Sequence, residues 1–171
     1  MTARSSDPLL GYALAIGKLF GNLASLDSLV RMALHVSRDP SNTDPSTEPL
    51  NLKVGDHVEL NWITKDCTLG VLIGEYNKLQ VERGTPENSI GDEILDLRNA
   101  LAHGFISAMV VGGVLTLTKF GRTVKGGPLV VTQKVDLTPD WLQMQLGRVR
   151  DAVDGVHKNG IIGTRAEGKP G

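Results

Sequence analysis

Ile90-Gly91-Asp92-Glu93-Ile94-Leu95-Asp96-Leu97-Arg98-Asn99-Ala100-Leu101-Ala102-His103-Gly104 is the stretch on which the fold class turns. Ile90, Ile94, Leu97 and Leu101 recur at steps of four, three and four, which lines one face of an α-helix. Asp92 and Glu93 fall in the first turns, where the helix dipole favours negative charge. Gly104 is a natural stop. The pattern predicts a helix over 87–103. At about 100° per residue, Asp92, Asp96, Asn99 and His103 fall within about 40° of one another, opposite the apolar stripe. Arg98 stands about 140° from His103, at the apolar edge. A guanidinium there must snorkel or meet a partner.

Outward from this helix the same periodicity recurs. Residues 9–38 predict a long first helix, with Leu9, Leu10, Ala13, Leu14, Ile16, Leu19, Phe20, Leu23, Leu26, Val30 and Leu34 at three and four spacing. Asp7 and Pro8 form its start, the aspartate as cap and the proline in the first turn. The apolar surface is wider than one stripe, so the helix is expected to pack on two sides, its own bundle and another subunit. Residues 67–81 predict a second helix through Leu69, Leu72, Ile73, Tyr76 and Leu79. Thr138-Pro139-Asp140 opens a last helix over 139–158, carrying Trp141, Leu142, Leu146, Val149, Val153 and Val156.

Between the helices the periods change. Residues 39–53, with Pro40, Pro45 and Pro49 among polar residues, read as a mobile loop. Residues 54–65 alternate like a strand at Val58, Leu60 and Trp62, and fit a short helix as well. Residues 105–136 shift to period two around Val114–Thr118 and Leu129–Thr132. With Gly112-Gly113 and Lys125-Gly126-Gly127 as turns, they predict a β-hairpin inserted before the last helix. Residues 160–171 read as a loose tail. The fold expected is mainly α, an up-and-down helical bundle with that hairpin insert, in one domain over 1–171.

Bulk properties narrow the function classes. At 171 residues and 40% hydrophobic content the chain can bury a sizeable core. A net charge of -1 supplies no global basic field, so an RNA partner would depend on local charge. Aromatics are only 4%, and no cluster of them for stacking bases is visible in the sequence. One cysteine, Cys67, fits a reducing compartment. The start MTARSSDP lacks the order of a signal peptide, and no apolar run approaches the roughly 18 residues that cross a bilayer. A cytoplasmic protein without membrane contact is the expectation.

The chemistry concentrates at 98–104. Arg98 is a fixed cation whose fork suits a phosphate. His103 sits in the last helical turn, where the dipole favours imidazolium and Arg98 opposes it. Such a histidine suits general acid–base work. The string Leu97-Arg98-Asn99-Ala100-Leu101-Ala102-His103-Gly104 resembles the signature of the HEPN superfamily: Arg, four to six residues, then His, commonly with a polar residue after Arg. The first helix, with Ala24-Ser25-Leu26-Asp27, resembles the opening helix of bacterial members. The likeness is sharp over about eight residues and architectural elsewhere.

The resemblance implies an HEPN-like bundle that dimerises, paired motifs meeting in one cleft. It implies a metal-independent endoribonuclease, with no cofactor, of the kind found in toxin–antitoxin, defence and RNA-processing systems. Arg98 would then stabilise the scissile phosphate, His103 would move protons, and Asn99 would position one of the two. RNA is required, because DNA lacks the attacking 2′-hydroxyl. The alternatives are a non-catalytic HEPN-like interaction module, partner of an antitoxin protein, and a nucleotide-binding protein that uses the same cleft without cutting.

Other residues carry blander readings. Asp92, Glu93 and Asp96 read as a solvated face and Asp27 as an exposed carboxylate. His35 and His157 read as surface residues, Cys67 as a small core residue, and Trp62 and Trp141 as packing residues. His57 and Glu59 lack further ligands at metal-site spacing. No nucleophile elbow, Walker loop or dinucleotide fingerprint occurs.

Overall fold

A computed structural model describes residues 8–38, 53–54, 57, 61–107, 114–122 and 125–162. Among them are four α-helices and a three-stranded antiparallel sheet, so the protein is mainly helical. The helices are α1 (Pro8–Arg38), α2 (Leu69–Glu82), α3 (Asp92–His103) and α4 (Pro139–Gly155). The strands are β1 (Phe105–Ser107), β2 (Thr116–Arg122) and β3 (Leu129–Asp136). The expected loop over 39–53 and tail over 160–171 fall mostly outside the described residues. The chain forms two compact units, residues 1–23 with 91–149, and residues 24–90 with 150–171.

In the second unit, the C-terminal half of α1 buries Leu26, Val30, Ala33 and Leu34, and α2 buries Leu72, Ile73, Tyr76 and Leu79. Thr68 starts α2, its side chain accepting from the Val71 amide at 3.4 Å. Of the stretch 54–65, residues 61–64 form a turn, while Val58 and Leu60, which carried the strand reading, lie outside the described residues. Asn61 Oδ1 accepts from the amides of Ile63 at 2.8 Å and Thr64 at 3.1 Å, which closes the chain on itself locally. Lys65 Nζ then lies 4.4 Å from the Trp62 ring centroid. His35, expected at the surface, is 2% exposed, because α1 is buried on more than one side here, with Ala33, Leu34 and His35 buried in succession.

Asn77 decides where α3 can begin. Its side-chain amide donates to the Ile90 carbonyl at 2.9 Å, and its oxygen accepts from the Ile90 amide at 2.8 Å. Ile90 is therefore tied down as extended chain, and the helix predicted from residue 87 starts at Asp92. A short 3-10 turn, Pro86–Asn88, takes the earlier residues. Gly91 is the cap, and the Glu93 carboxylate folds back into the space that a Cβ on Gly91 would take.

The Tyr76 hydroxyl is fully buried and has no hydrogen-bond partner among the described residues. Burial pushes its phenol up from the ordinary value, opposed in part by the Arg83 charge. The raised value means that titration of this group leaves stability unchanged below about pH 10 and destabilises the fold as pH rises past it. Tyr76→Phe is expected to leave stability unchanged or raise it by up to about 1 kcal/mol at neutral pH, since an unpaired buried hydroxyl is removed. It should also shift the alkaline limb of unfolding to higher pH, read by urea titration at pH 7 and 10.5.

In the first unit, the sheet order is β1-β2-β3, with β1 at an edge. The expected hairpin is β2–β3, and β1 is a third strand beyond it, pairing Phe105 with Thr118 and Ser107 with Thr116. Gly126 takes φ +79 in the connecting turn, a conformation glycine adopts without strain. One sheet face is inward, with Leu117 fully buried and Leu97, Ala100 and Leu101 of α3 buried in the same unit. α4 starts from Thr138, whose hydroxyl accepts from the Trp141 amide at 3.2 Å. It continues past Gly155 as a π-helical segment, Val156–Ile162.

α1 corrects one expectation. Over Leu9–Arg38 it is long and apolar enough to cross a membrane by length and composition, with a mean hydropathy of 1.4 in its most apolar 18-residue window. Glycine, alanine and leucine dominate that window, and the few polar residues are spread so that no single run reveals it.

Candidate active site

The last two turns of α3 carry the motif. Leu97, Ala100 and Leu101 are buried and fix which way the helix is turned. Arg98 and Asn99 are then half-buried, and His103 is exposed. Arg98 Nη1 donates to Asn99 Oδ1 at 3.0 Å. The guanidinium, expected to diverge from the polar line, thus bends round the helix onto that line's Asn99. One Arg98 N–H is used, and no carboxylate lies within ion-pair distance among the described residues. His103 has no hydrogen-bond partner among the described residues and is joined to neither Arg98 nor Asn99. The structure brings together the arginine and asparagine and leaves the histidine open, one turn further on.

Two physical features shape the site. His103 is the last residue of α3, beside the carbonyl groups that close the helix. Asp92, Glu93 and Asp96 are all exposed on the same helix. Asp27, expected to be an exposed carboxylate, instead pairs with Arg31 at 2.6 Å. Among the described residues no three His, Cys, Asp or Glu side chains converge as metal ligands.

Gly104 stops the helix by a different route from the expected left-handed cap. Its backbone is extended, at φ -83 and ψ 163, which any residue can adopt. Glycine is needed for space: a Cβ would fall on the Ala100 carbonyl and 2.6 Å from Leu117 Cδ1. Leu117 is fully buried and cannot give way freely. Gly104→Ala is expected to cost about 1–3 kcal/mol in a urea titration, by overpacking the joint between α3 and β2. It should displace His103 with it.

A cavity of ≈ 380 Å³ lies in the same unit between α1 and α4, lined by Tyr12, Ala15, Leu142, Gln143 and Leu146 among others. None of Arg98, Asn99 and His103 lines it. Sequence reading also missed two aromatic side chains. Phe105 and Phe120 are 63% and 48% exposed and lie on one sheet face. The signal was the period-two spacing of β2 with a phenylalanine just past the motif, but the β1–β2 pairing is what joins them.

Fold and site together define a mainly α-helical protein with a small antiparallel sheet and an arginine–asparagine pair on a helix that ends in an open histidine. No protein-family model, curated protein or solved structure matches this chain.

Proposed function

We propose that the chain is an HEPN-like, metal-independent endoribonuclease acting as a homodimer, with Arg98 and His103 of both copies at one composite cleft. The observation that carries this reading is the Arg98–Asn99 bond at 3.0 Å beside an exposed His103 at the helix end. Asn99 restrains the guanidinium from one side, and its remaining N–H groups suit a phosphate. His103 suits a proton relay, because nothing on its own element holds the ring. The 2′-hydroxyl attacks phosphorus, the 5′-oxygen leaves, and the products are a 2′,3′-cyclic phosphate and a 5′-hydroxyl. One proton must leave the attacking oxygen and one must reach the departing oxygen. Two histidines, one from each copy, divide these tasks; a single histidine would have to do both.

A cytoplasmic setting is part of the proposal. Its support is the single cysteine, which suits a reducing compartment. A second reading, a non-catalytic HEPN-like module that binds an antitoxin protein, draws on Leu10, Leu14 and Phe20. These α1 side chains are each about half exposed and suit a protein contact.

The test is purified protein with mixed RNA in EDTA, beside Arg98→Ala and His103→Ala. Cleavage by wild type alone, with cyclic-phosphate ends, is the expected result. Equal cleavage by all three would mark a contaminant and remove the assignment. No cleavage by a wild-type dimer would favour the interaction module.

A further inference from the structure

We infer that the outer face of the sheet is a stacking platform for single-stranded RNA, with Phe105 and Phe120 as its aromatic seats and Lys134 beside them. The inference rests on the ribonuclease reading for its choice of RNA, and it names where the substrate strand lies.

Strand register places the residues. Leu117 is buried on the inner face, so Thr116, Thr118 and Phe120 of β2 point to the outer one. Phe105 pairs with Thr118, and Thr118 pairs with Lys134, forming one row across three strands. Phe120 pairs with Val131 in the next row, and Arg122 with Leu129 beyond it. The bulge between Lys119 and Phe120 lies in the β2–β3 register and leaves Phe105 and Phe120 on one face, as diagonal neighbours about 7–8 Å apart. Val131 and Leu129 are 56% and 63% exposed, so the apolar patch runs over all three strands. A solvated sheet face ordinarily carries polar residues. A contiguous apolar patch there marks a contact surface.

Charge selects the occupant. From Leu97 to Val135 the chain has no Asp or Glu, but it has Arg98, Lys119, Arg122, Lys125 and Lys134; the carboxylate that follows, Asp136, shares the outer face and accepts from Thr116 Oγ1 at 3.0 Å, at the end away from Phe120. The whole protein carries -1, so this segment is a basic island in an acidic remainder. A polyanion is the complementary partner. Aromatic rings in a basic setting are what single-stranded nucleic acid uses, since every base has a face to stack. Gly104 alone separates His103 from Phe105, and β1 is an edge strand. A strand seated on Phe105 therefore passes the sheet edge at the end of α3 that holds the histidine.

Binding is tested with a fluorescein-labelled uridine 12-mer RNA by anisotropy in EDTA, on the His103→Ala background so that cutting does not intervene. Added Phe105→Ala or Phe120→Ala is expected to weaken binding about 5- to 150-fold each, the range found for loss of one stacked base. Phe120→Tyr should bind as the parent and Phe120→Leu should not, both with unchanged melting curves. Lys134→Ala should reduce the salt slope by about 0.7. The platform is overturned if the Phe variants bind like the parent, or if Phe120→Leu binds as well as Phe120→Tyr. It is also overturned if Phe120→Ala only dissociates a dimer in sedimentation. Tighter binding of a thymidine 12-mer of DNA overturns the choice of RNA. Failure of the ribonuclease reading is seen separately, as wild type that binds through both phenylalanines yet releases no cyclic phosphate.

Discussion

His103→Ala is expected to lower RNA cleavage by about 10²–10⁴-fold while leaving the melting curve in place. The side chain is exposed and bonded to nothing among the described residues, so truncating it removes chemistry and little packing. Arg98 is different. It is half-buried and bonded to Asn99, so Arg98→Ala loses phosphate binding and some local order. Arg98→Lys separates these effects. Lysine keeps the charge but presents a single ammonium in place of a planar fork, and most of the activity should still be lost. Asn99→Ala should fall between wild type and Arg98→Ala, because it frees the guanidinium without removing it. Single-turnover cleavage in EDTA measures all four variants. An Asn99→Ala protein as inactive as His103→Ala would show that Asn99 does more than hold Arg98.

Arg31→Ala is expected to destabilise the protein by about 2–4 kcal/mol, lowering its melting temperature by about 5–15 °C. Few side chains here do as much. Its Nε donates to Asp27 Oδ2 at 2.6 Å. Its Nη1 donates to the Lys65 carbonyl at 2.6 Å and more loosely to that of Trp62 at 3.4 Å. Its Nη2 donates to the Cys67 carbonyl at 3.0 Å. One guanidinium thus ties the turn before α2 to α1. The loss is smaller than four charge-assisted bonds would suggest, because Asp27 is 30% exposed and water replaces part of each bond. Arg31→Lys should recover less than half, since an ammonium cannot reach three carbonyls from one position. Asp27→Asn should cost less than either. Urea titration ranks the three, and a cost for Asp27→Asn equal to that for Arg31→Ala would mean the ion pair alone carries the effect.

The helices were legible because each buries a face at helical spacing. The predicted spans 9–38 and 67–81 meet α1 and α2 within two residues, and the predicted 139–158 matches α4 and its π-helical continuation. The start of α3 was misread because Ile90 fits the apolar stripe and is buried, yet its backbone belongs to Asn77, thirteen residues earlier. Periodicity cannot see a side chain that captures a distant backbone. His35 was misread for a related reason: a histidine's polarity says little where its helix is buried on more than one side.

The sequence by itself determined the helical class, the hairpin insert, the motif helix and the open histidine at its end. These follow from local periods, turn residues and the dipole of one helix. Only the tertiary structure decided how the guanidinium of Arg98 meets Asn99, why Gly104 must be glycine, and that Phe105 and Phe120 share a face. Each of these depends on a contact or pairing: a side chain choosing among partners, Leu117 filling the space beside Gly104, and two strands falling into register. Composition and spacing along the chain carry no record of such choices, because they are made when packing brings distant segments together.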